Sequence, residues 1–312
     1  MKKNYNPQIA VCSRSVSKNK SAVQIIKKNF KKIKLNDTDK ILKDSELVSF
    51  IKDASAAIIG LEKIDEKLLK KCPKLSVIGK YGVGTNNIDF EALKKNNVKI
   101  LLQPGINKRA VSELTLSFMI QGLRNSYQLI NDVKNNMWPF KFGRLLSGKT
   151  IGIIGFGNIG SDLFELLKPF GCKIMVNDIL LKNNFFKKKN IKNSSLKNLL
   201  SNSDIISLHI PFNKKNLNFF SKKKILLLKK DVIFINTSRG GLVDEKYLYE
   251  FLKKNKKSHA IFDVMLKEPI KDKKLLKLKN FCLTPHLAGS TVEIAEVAST
   301  DCVKKVVKFF KK

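Results

Sequence analysis

The sequence predicts an α/β chain in two parts, each a parallel sheet covered by helices. Two alternations of strand-like and helical periodicity and one glycine series carry that reading. Over the first hundred residues, short β-type apolar runs alternate with amphipathic helical stretches, and a second alternation begins at Gly148-Lys149-Thr150. Gly155, Gly157 and Gly160 follow directly on an apolar run of the second part and open a helical pattern. Strands separated by helix-length crossovers pair in parallel, with the helices laid on the faces of the sheet.

In the first part the expected strands are residues 8–12, 56–60, 75–79 and 98–102, with helices over 21–30, 65–71 and 90–95. From Lys108 to Met137 the apolar residues Leu114, Leu116, Phe118, Met119, Leu123, Tyr127, Leu129, Ile130 and Val133 have the spacing of one or two helices leaving the first domain. The second part shows strands at 151–154, 173–177, 204–208, 232–236, 260–263 and 281–284, and helices near 159–169, 195–201, 222–228 and 244–254. Six strands in this rhythm give a doubly wound, Rossmann-type parallel sheet. Residues 291–310 have helical spacing and are expected to return to the first domain and make it discontinuous. The domains are therefore drawn as 1–103 with 291–312, a substrate-binding part, and 104–290, a dinucleotide-binding part.

A length of 312 residues is enough for two such cores, and a 43% hydrophobic content with a mean hydropathy of −0.16 describes a soluble globular chain. No apolar run reaches the roughly 18 residues of a membrane span, so no membrane partner is expected. The start, Met1 to Pro7, lacks the apolar region and cleavage site of a signal peptide, and a cytoplasmic location follows. Cys12, Cys72, Cys172, Cys282 and Cys302 are scattered and odd in number, which reads as reduced, buried thiols and no metal site.

The net charge of +35 invites a nucleic-acid reading, since basic proteins gain affinity by releasing phosphate counterions. Its distribution argues the other way. Of 61 basic residues only Arg14, Arg109, Arg124, Arg144 and Arg239 are arginines, and bidentate recognition of phosphates and bases favours arginine. The lysines are spread along the chain, as on a solvated surface, and no nucleic-acid partner is expected.

Each glycine of the series has a steric task. Gly155 permits the strand-to-helix turn, Gly157 lets a pyrophosphate approach the backbone, and Gly160 lets helix and strand come close. The helix start then offers the N–H groups of Asn158 and Ile159 to an anion. Asp178, at the end of the next strand, is placed to accept hydrogen bonds from an adenosine ribose. Its carboxylate repels a 2′-phosphate, and the residues that follow, Ile179 to Lys182, supply no arginine to receive one. NAD is the expected cofactor.

Arg239 follows the strand at 232–236, at the strand end where doubly wound sheets form their crevice, and a guanidinium there can hold a carboxylate and polarise a neighbouring carbonyl. Reduction of a ketone also needs a proton donor near neutral pH, which imidazole supplies best. Of His209, His259 and His286, the last is the best placed, with Glu268 as its acidic partner. Spacing alone leaves a capping histidine and a solvated glutamate equally open. His209 could line the cofactor crevice or serve the fold, and His259 begins a strand as a structural residue.

In Lys80-Tyr-Gly-Val-Gly-Thr-Asn-Asn-Ile-Asp89, Asn107-Lys-Arg-Ala-Val-Ser-Glu-Leu-Thr115 and Thr284-Pro-His-Leu-Ala-Gly-Ser-Thr291, taken in order, the chain resembles the D-isomer-specific 2-hydroxyacid dehydrogenases, nearest their phosphoglycerate-oxidising branch. The resemblance spans nearly the whole chain. It implies a Rossmann domain and a flavodoxin-like substrate domain with the reaction in the cleft between them, closing about residues 103 and 290. It implies that Arg239 binds the substrate carboxylate, that His286 is the acid/base with Glu268 behind it, and that Asp263 contacts the nicotinamide carboxamide. Cofactor contacts from Asn158, Ile159, Asp178, Ile210 and Thr237 are further implications, as are substrate contacts from the N–H groups of Val83 and Gly84. Lys80 stands where phosphoglycerate-type members carry a basic residue facing the distal phosphate, here Lys in place of the Arg of some members. A homodimer is implied too, and serine feedback is not expected, because no regulatory domain follows the last helix. The expected activity is NAD-linked interconversion of a D-2-hydroxy acid, 3-phosphoglycerate-like, and its 2-oxo acid. The alternatives are a glyoxylate or hydroxypyruvate reductase, a formate or phosphonate oxidase, and an NAD-sensing, co-repressor-like binding protein.

Overall fold

A computed structural model describes residues 6–180, 191 and 193–311. Lys182, and all of the lysine-rich stretch 186–192 except Ile191, lie outside the described residues. The chain forms two compact units, Met1–Asn107 with Ser290–Lys312, and Lys108–Gly289.

The first unit holds β1 (Gln8–Val11), α1 (Arg14–Lys18), α2 (Lys20–Asn29), β2 (Lys32–Leu35), α3 (Asp44–Ile51), β3 (Ala56–Ile59), α4 (Glu66–Lys70), β4 (Val77–Lys80), α5 (Phe90–Lys95) and β5 (Lys99–Leu101). Its sheet is parallel, in the flavodoxin-like order β2-β1-β3-β4-β5. Alternate residues of β1 enter opposite cores: Ala10 packs with Leu47, Ile51 and Ile78, whereas Ile9 and Val11 pack with Ile26, Val303 and Val306. Sequence reading missed β2, α1 and α3. The alternating lysines of β2 belong to an edge strand whose residues are all exposed or half-exposed, so it carries no apolar run.

The C-terminal helix Val292–Lys311 packs on α2 and β4 of this unit. It lies so close to β4 that a Cβ on Gly79 would sit 2.8 Å from Val306 Cγ2. Gln103 Nε2 donates to the Ala298 carbonyl at 2.8 Å and to Asp301 at 2.9 Å, and Lys305 Nζ donates to the Leu102 carbonyl at 2.9 Å. These bonds keep residues 102–103 in the first unit, and the second begins at Lys108 where 104 was expected.

The second unit contains α6 (Lys108–Arg124), α7 (Ser126–Lys134), β6 (Thr150–Ile154), α8 (Asn158–Leu167), β7 (Lys173–Asn177), α9 (Leu196–Asn202), β8 (Ile205–Leu208), α10 (Lys222–Ile225), β9 (Ile233–Asn236), α11 (Glu245–Lys254), β10 (His259–Phe262) and β11 (Phe281–Leu283). The long helical stretch after Lys108 divides at Asn125, whose φ is 51°. The six strands are parallel, in the order β11-β10-β9-β8-β6-β7, and an isolated bridge joins Val176 of β7 to Asn193. The chain leaves β6 in one direction toward β7 and in the other toward β8, which makes their carboxyl ends the switch point where such sheets bind ligands. On one face Phe234, Phe262 and Phe281 stack across β9, β10 and β11 with ring centroids 5.4 and 5.7 Å apart. Edge-to-face pairs of this kind contribute about 0.5–1.5 kcal/mol each beyond their buried area, and here they stiffen the strands whose carboxyl ends carry the candidate groups. Strands β10 and β11 each stop one residue earlier than expected, which frees Asp263 and Thr284 for the loops. Among the described residues no helix is long and apolar enough to cross a membrane, and no group of three or more His, Cys, Asp or Glu side chains could hold a metal ion.

Candidate active site

The glycine turn has the shape its sequence requires. Gly155 has a φ of +89°, and a Cβ there would lie 2.7 Å from the His209 carbonyl oxygen at the end of β8. A Cβ on Gly160 would fall 2.1 Å from the Gly155 carbonyl oxygen, so only glycine lets α8 start this close to the turn. Over Gly157 a Cβ would meet nothing within 4 Å, and Gly157 caps the ten-residue α8 without a side-chain hydrogen bond. Open space therefore faces a helix N-terminus whose first N–H groups, including those of Asn158 and Ile159, suit an anion.

Asp178 Oδ2 accepts the Phe156 N–H at 2.7 Å and Oδ1 accepts the Leu180 N–H at 2.8 Å, which fixes the carboxylate beside the glycine turn. The Ile210 carbonyl accepts the Ser238 hydroxyl at 2.6 Å, joining the loops after β8 and β9. Thr237 is buried with its hydroxyl 3.0 Å from that of Thr115. The cradle, the uncapped helix start and the fixed carboxylate all fit a dinucleotide such as NAD.

The loop after β9 presents Arg239. Asn236 shapes that loop by accepting the Ser238 N–H at 3.0 Å and donating to the Arg239 carbonyl at 3.0 Å. The guanidinium donates to the Ser238 carbonyl at 2.7 Å. Burial pulls its pKa below the ordinary value, and the charge of Glu268 opposes that pull. It stays a cation at any physiological pH.

Glu268 and His286 meet between the loops that follow β10 and β11. His286 Nδ1 lies 2.7 Å from Glu268 Oε2, and the other oxygen of Glu268 accepts the Met265 N–H at 2.9 Å. With Nδ1 engaged by the carboxylate, Nε2 is the nitrogen that can exchange a proton with a substrate. His286 has a φ of 54°, a left-handed conformation that non-glycine residues adopt only when their surroundings impose it. Asp263 imposes it. Its carbonyl accepts the His286 N–H at 2.9 Å, while Oδ1 accepts the Thr284 hydroxyl at 2.5 Å and the Leu287 N–H at 2.9 Å. Oδ2 accepts the Ala288 N–H at 2.8 Å. The resemblance gave this residue to the nicotinamide carboxamide. In the structure Asp263 is 1% exposed, and its carboxylate organises the histidine loop.

The other two histidines are neutral near pH 7. Burial lowers the His209 pKa to about 3, with Nε2 2.8 Å from the Ser207 hydroxyl. Burial, assisted by the charges of Arg144 and Lys141, lowers that of His259 to about 4, and its Nδ1 lies 2.7 Å from the Tyr127 hydroxyl. Neither can serve as a general acid at neutral pH.

Lys80, Val83 and Gly84 belong to the other unit. Lys80 is 3% exposed and its Nζ donates to the Tyr81 carbonyl at 2.8 Å. Val83 and Gly84 follow Gly82, whose φ is +82°, in the loop after β4. Sequence reasoning missed Asn236, Thr115 and Glu245, and it missed the loop-building part of Asp263. Asn236 carried a signal, because Asn two residues before a turn commonly bonds the backbone beyond it. Glu245 carried none, since its partner is the Leu266 N–H, 21 residues away.

Residues 116–288 match the family described as "D-isomer specific 2-hydroxyacid dehydrogenase, NAD binding domain". The chain is 36% identical over 274 residues to D-3-phosphoglycerate dehydrogenase of Methanocaldococcus jannaschii, an alignment covering 86% of this chain and 52% of that protein. It thus spans about half the length of that relative. With hydroxypyruvate reductase of Thermotoga maritima it shares 32% identity over 295 residues, covering 93% of this chain and 94% of the relative. A D-lactate dehydrogenase from Aquifex aeolicus, solved with NAD and lactic acid, superposes with a TM-score of 0.84 at 27% identity, over 97% of this chain and 95% of that one. The chain therefore belongs to the D-isomer-specific 2-hydroxyacid dehydrogenase family, with its NAD-binding domain in the second unit.

Proposed function

We propose that the protein interconverts a D-2-hydroxy acid and its 2-oxo acid, with Arg239, Glu268 and His286 as the reacting constellation. The observation that carries the reading is the 2.7 Å His286–Glu268 pair at the carboxyl ends of β10 and β11, in the same unit as the glycine cradle and Arg239. NAD, when bound, supplies the carrier of the hydride exchanged with C2. In the reducing direction Arg239 holds the substrate carboxylate and polarises the neighbouring carbonyl, and His286 gives its Nε2 proton to the C2 oxygen. Glu268 keeps the ring oriented and stabilises its cationic form before the proton leaves. In the oxidising direction the same nitrogen accepts the hydroxyl proton.

A 3-phosphoglycerate-like substrate is the first candidate, supported by the archaeal relative and by a basic residue at position 80. Reduction of an unphosphorylated acid such as glyoxylate or hydroxypyruvate is the second reading, favoured by the burial of Lys80 and its bond to the Tyr81 carbonyl. Rates with 3-phosphohydroxypyruvate, hydroxypyruvate and glyoxylate, each with NADH and NADPH, separate the two. Under the first reading, Lys80→Ala lowers kcat/KM for the phosphorylated acid alone. Under the second, it affects the three acids alike. Faster turnover with NADPH than with NADH contradicts the role given to Asp178, and no turnover on any acid favours the sensor alternative.

The protein is also proposed to pair as a homodimer through α7 and the segment after it. Ile130, Val133, Trp138, Phe140, Phe142 and Leu145 are 47–92% exposed, with the Phe140 and Phe142 rings 5.2 Å apart, a run of exposed large apolar side chains within sixteen residues of sequence. Sedimentation equilibrium is expected to give twice the chain mass for the wild type and less for a Trp138→Ser/Phe142→Ser variant. A monomeric wild type at micromolar concentration contradicts the pairing.

A further inference from the structure

We propose that Glu245 is a positioning residue for the acid–base pair, acting with Gly240 to clamp the Met265–Leu266 peptide so that Glu268 stays on His286. The inference rests on the dehydrogenase reading above and adds a residue to it.

The chain of contacts is continuous. Glu245 Oε1 accepts the Leu266 N–H at 2.7 Å. Gly240 also abuts the same peptide, so closely that a Cβ would lie 1.9 Å from Met265 C and 2.3 Å from Leu266 N. The residue so held donates its own N–H to Glu268 Oε1 at 2.9 Å, and Glu268 Oε2 meets His286 Nδ1 at 2.7 Å. Gly240 directly follows Arg239, so the turn that presents the guanidinium also abuts the peptide that aligns the carboxylate.

Glu245 is anchored well enough to act as a fixed post. It is the first residue of α11, whose cap, Asp244, accepts the Lys246 and Tyr247 N–H groups at 3.2 and 3.3 Å. Leu248, Phe251 and Leu252 of the same helix are buried in the core that holds Phe234 and Phe262. Glu245 is half-buried, desolvation raises its pKa, and the Leu266 N–H offsets part of that cost. The 264–268 segment has no regular secondary structure, so these two contacts substitute for a ladder or helix in fixing it.

The test compares wild type, Glu245→Ala, Glu245→Gln, Glu245→Asp, Glu268→Gln and the Glu245→Ala/Glu268→Gln double variant, all as the full chain. Each is assayed with NADH and the best acid of the panel. Displacing a catalytic group by a fraction of an ångström is expected to lower kcat about tenfold in Glu245→Ala, with KM for NADH changed less than about twofold. Glu245→Asp keeps the charge and loses the reach, and follows Glu245→Ala. Glu245→Gln retains an oxygen acceptor and recovers to within about threefold of wild type. In the Glu268→Gln background, removal of Glu245 costs nothing further, because the carboxylate it positions is already gone.

Losses that multiply in the double variant, or a Glu245→Ala enzyme with wild-type kcat, overturn the clamp. Hydrogen exchange of the peptide spanning residues 264–269 gives a readout free of turnover. It is expected to quicken in Glu245→Ala and Glu245→Asp and to stay slow in Glu245→Gln. Unchanged exchange in all three overturns the clamp even if the wild type turns over none of the acids, an outcome that by itself sinks only the dehydrogenase reading.

Discussion

Replacing His286 by Gln is expected to lower kcat by a factor of roughly 10²–10⁴ while leaving NADH affinity near the wild-type value. Glutamine has a similar volume and can still meet Glu268 with its amide, so the loop after β11 keeps its shape. What the variant loses is a ring nitrogen that can give up and regain a proton. The other histidines cannot substitute, since burial has pulled His209 to about 3 and His259 to about 4. Because the glycine cradle and Asp178 stand on other loops, fluorescence titration with NADH should report an unchanged dissociation constant. Turnover within threefold of wild type would remove His286 from the chemistry.

The second large effect is expected at Arg239. Substitution by Gln leaves the substrate carboxylate without its cation in a partly buried site, a loss of about 2–5 kcal/mol, or roughly 30- to 5,000-fold in kcat/KM. Lysine should not rescue it. An ammonium is a point charge that cannot present two parallel donors to a carboxylate, and the loop is built for a planar group that also reaches the Ser238 carbonyl at 2.7 Å. KM for the 2-oxo acid is expected to rise and kcat to fall, because the same cation both holds the carboxylate and polarises the carbonyl. If Arg239→Gln changes neither, the guanidinium belongs to the loop's architecture alone.

Much of this was legible in the sequence because short-range chemistry encodes it. Gly155, Gly157 and Gly160 are required by local sterics, and Asp178 follows at the spacing of one βαβ unit, so the cradle could be read in one dimension. Arg239, Glu268 and His286 were legible as residue types at strand ends, where spacing left the His286–Glu268 pairing one of two equally open readings and the family motifs favoured it. What stayed hidden depends on contacts between distant segments. Asp263 looked like the last residue of a strand and proved to be the buried hub of the histidine loop, because the three bonds its carboxylate accepts come from residues 21–25 positions ahead. Glu245 looked like an ordinary first-turn helix acid. Strand β2 was missed because an edge strand has too little burial to impose an apolar pattern. Lys80 was legible as a basic residue, but its burial and its bond to Tyr81 were not.

The central claim is that these side chains serve hydride exchange at C2 of a D-2-hydroxy acid. The most direct measurement is reduction of hydroxypyruvate or another accepted 2-oxo acid with NADH carrying deuterium at both nicotinamide C4 positions, followed by chiral chromatography and mass spectrometry. The account predicts one deuterium at C2 of a product of D configuration. An L product, or a product without deuterium at C2, contradicts it.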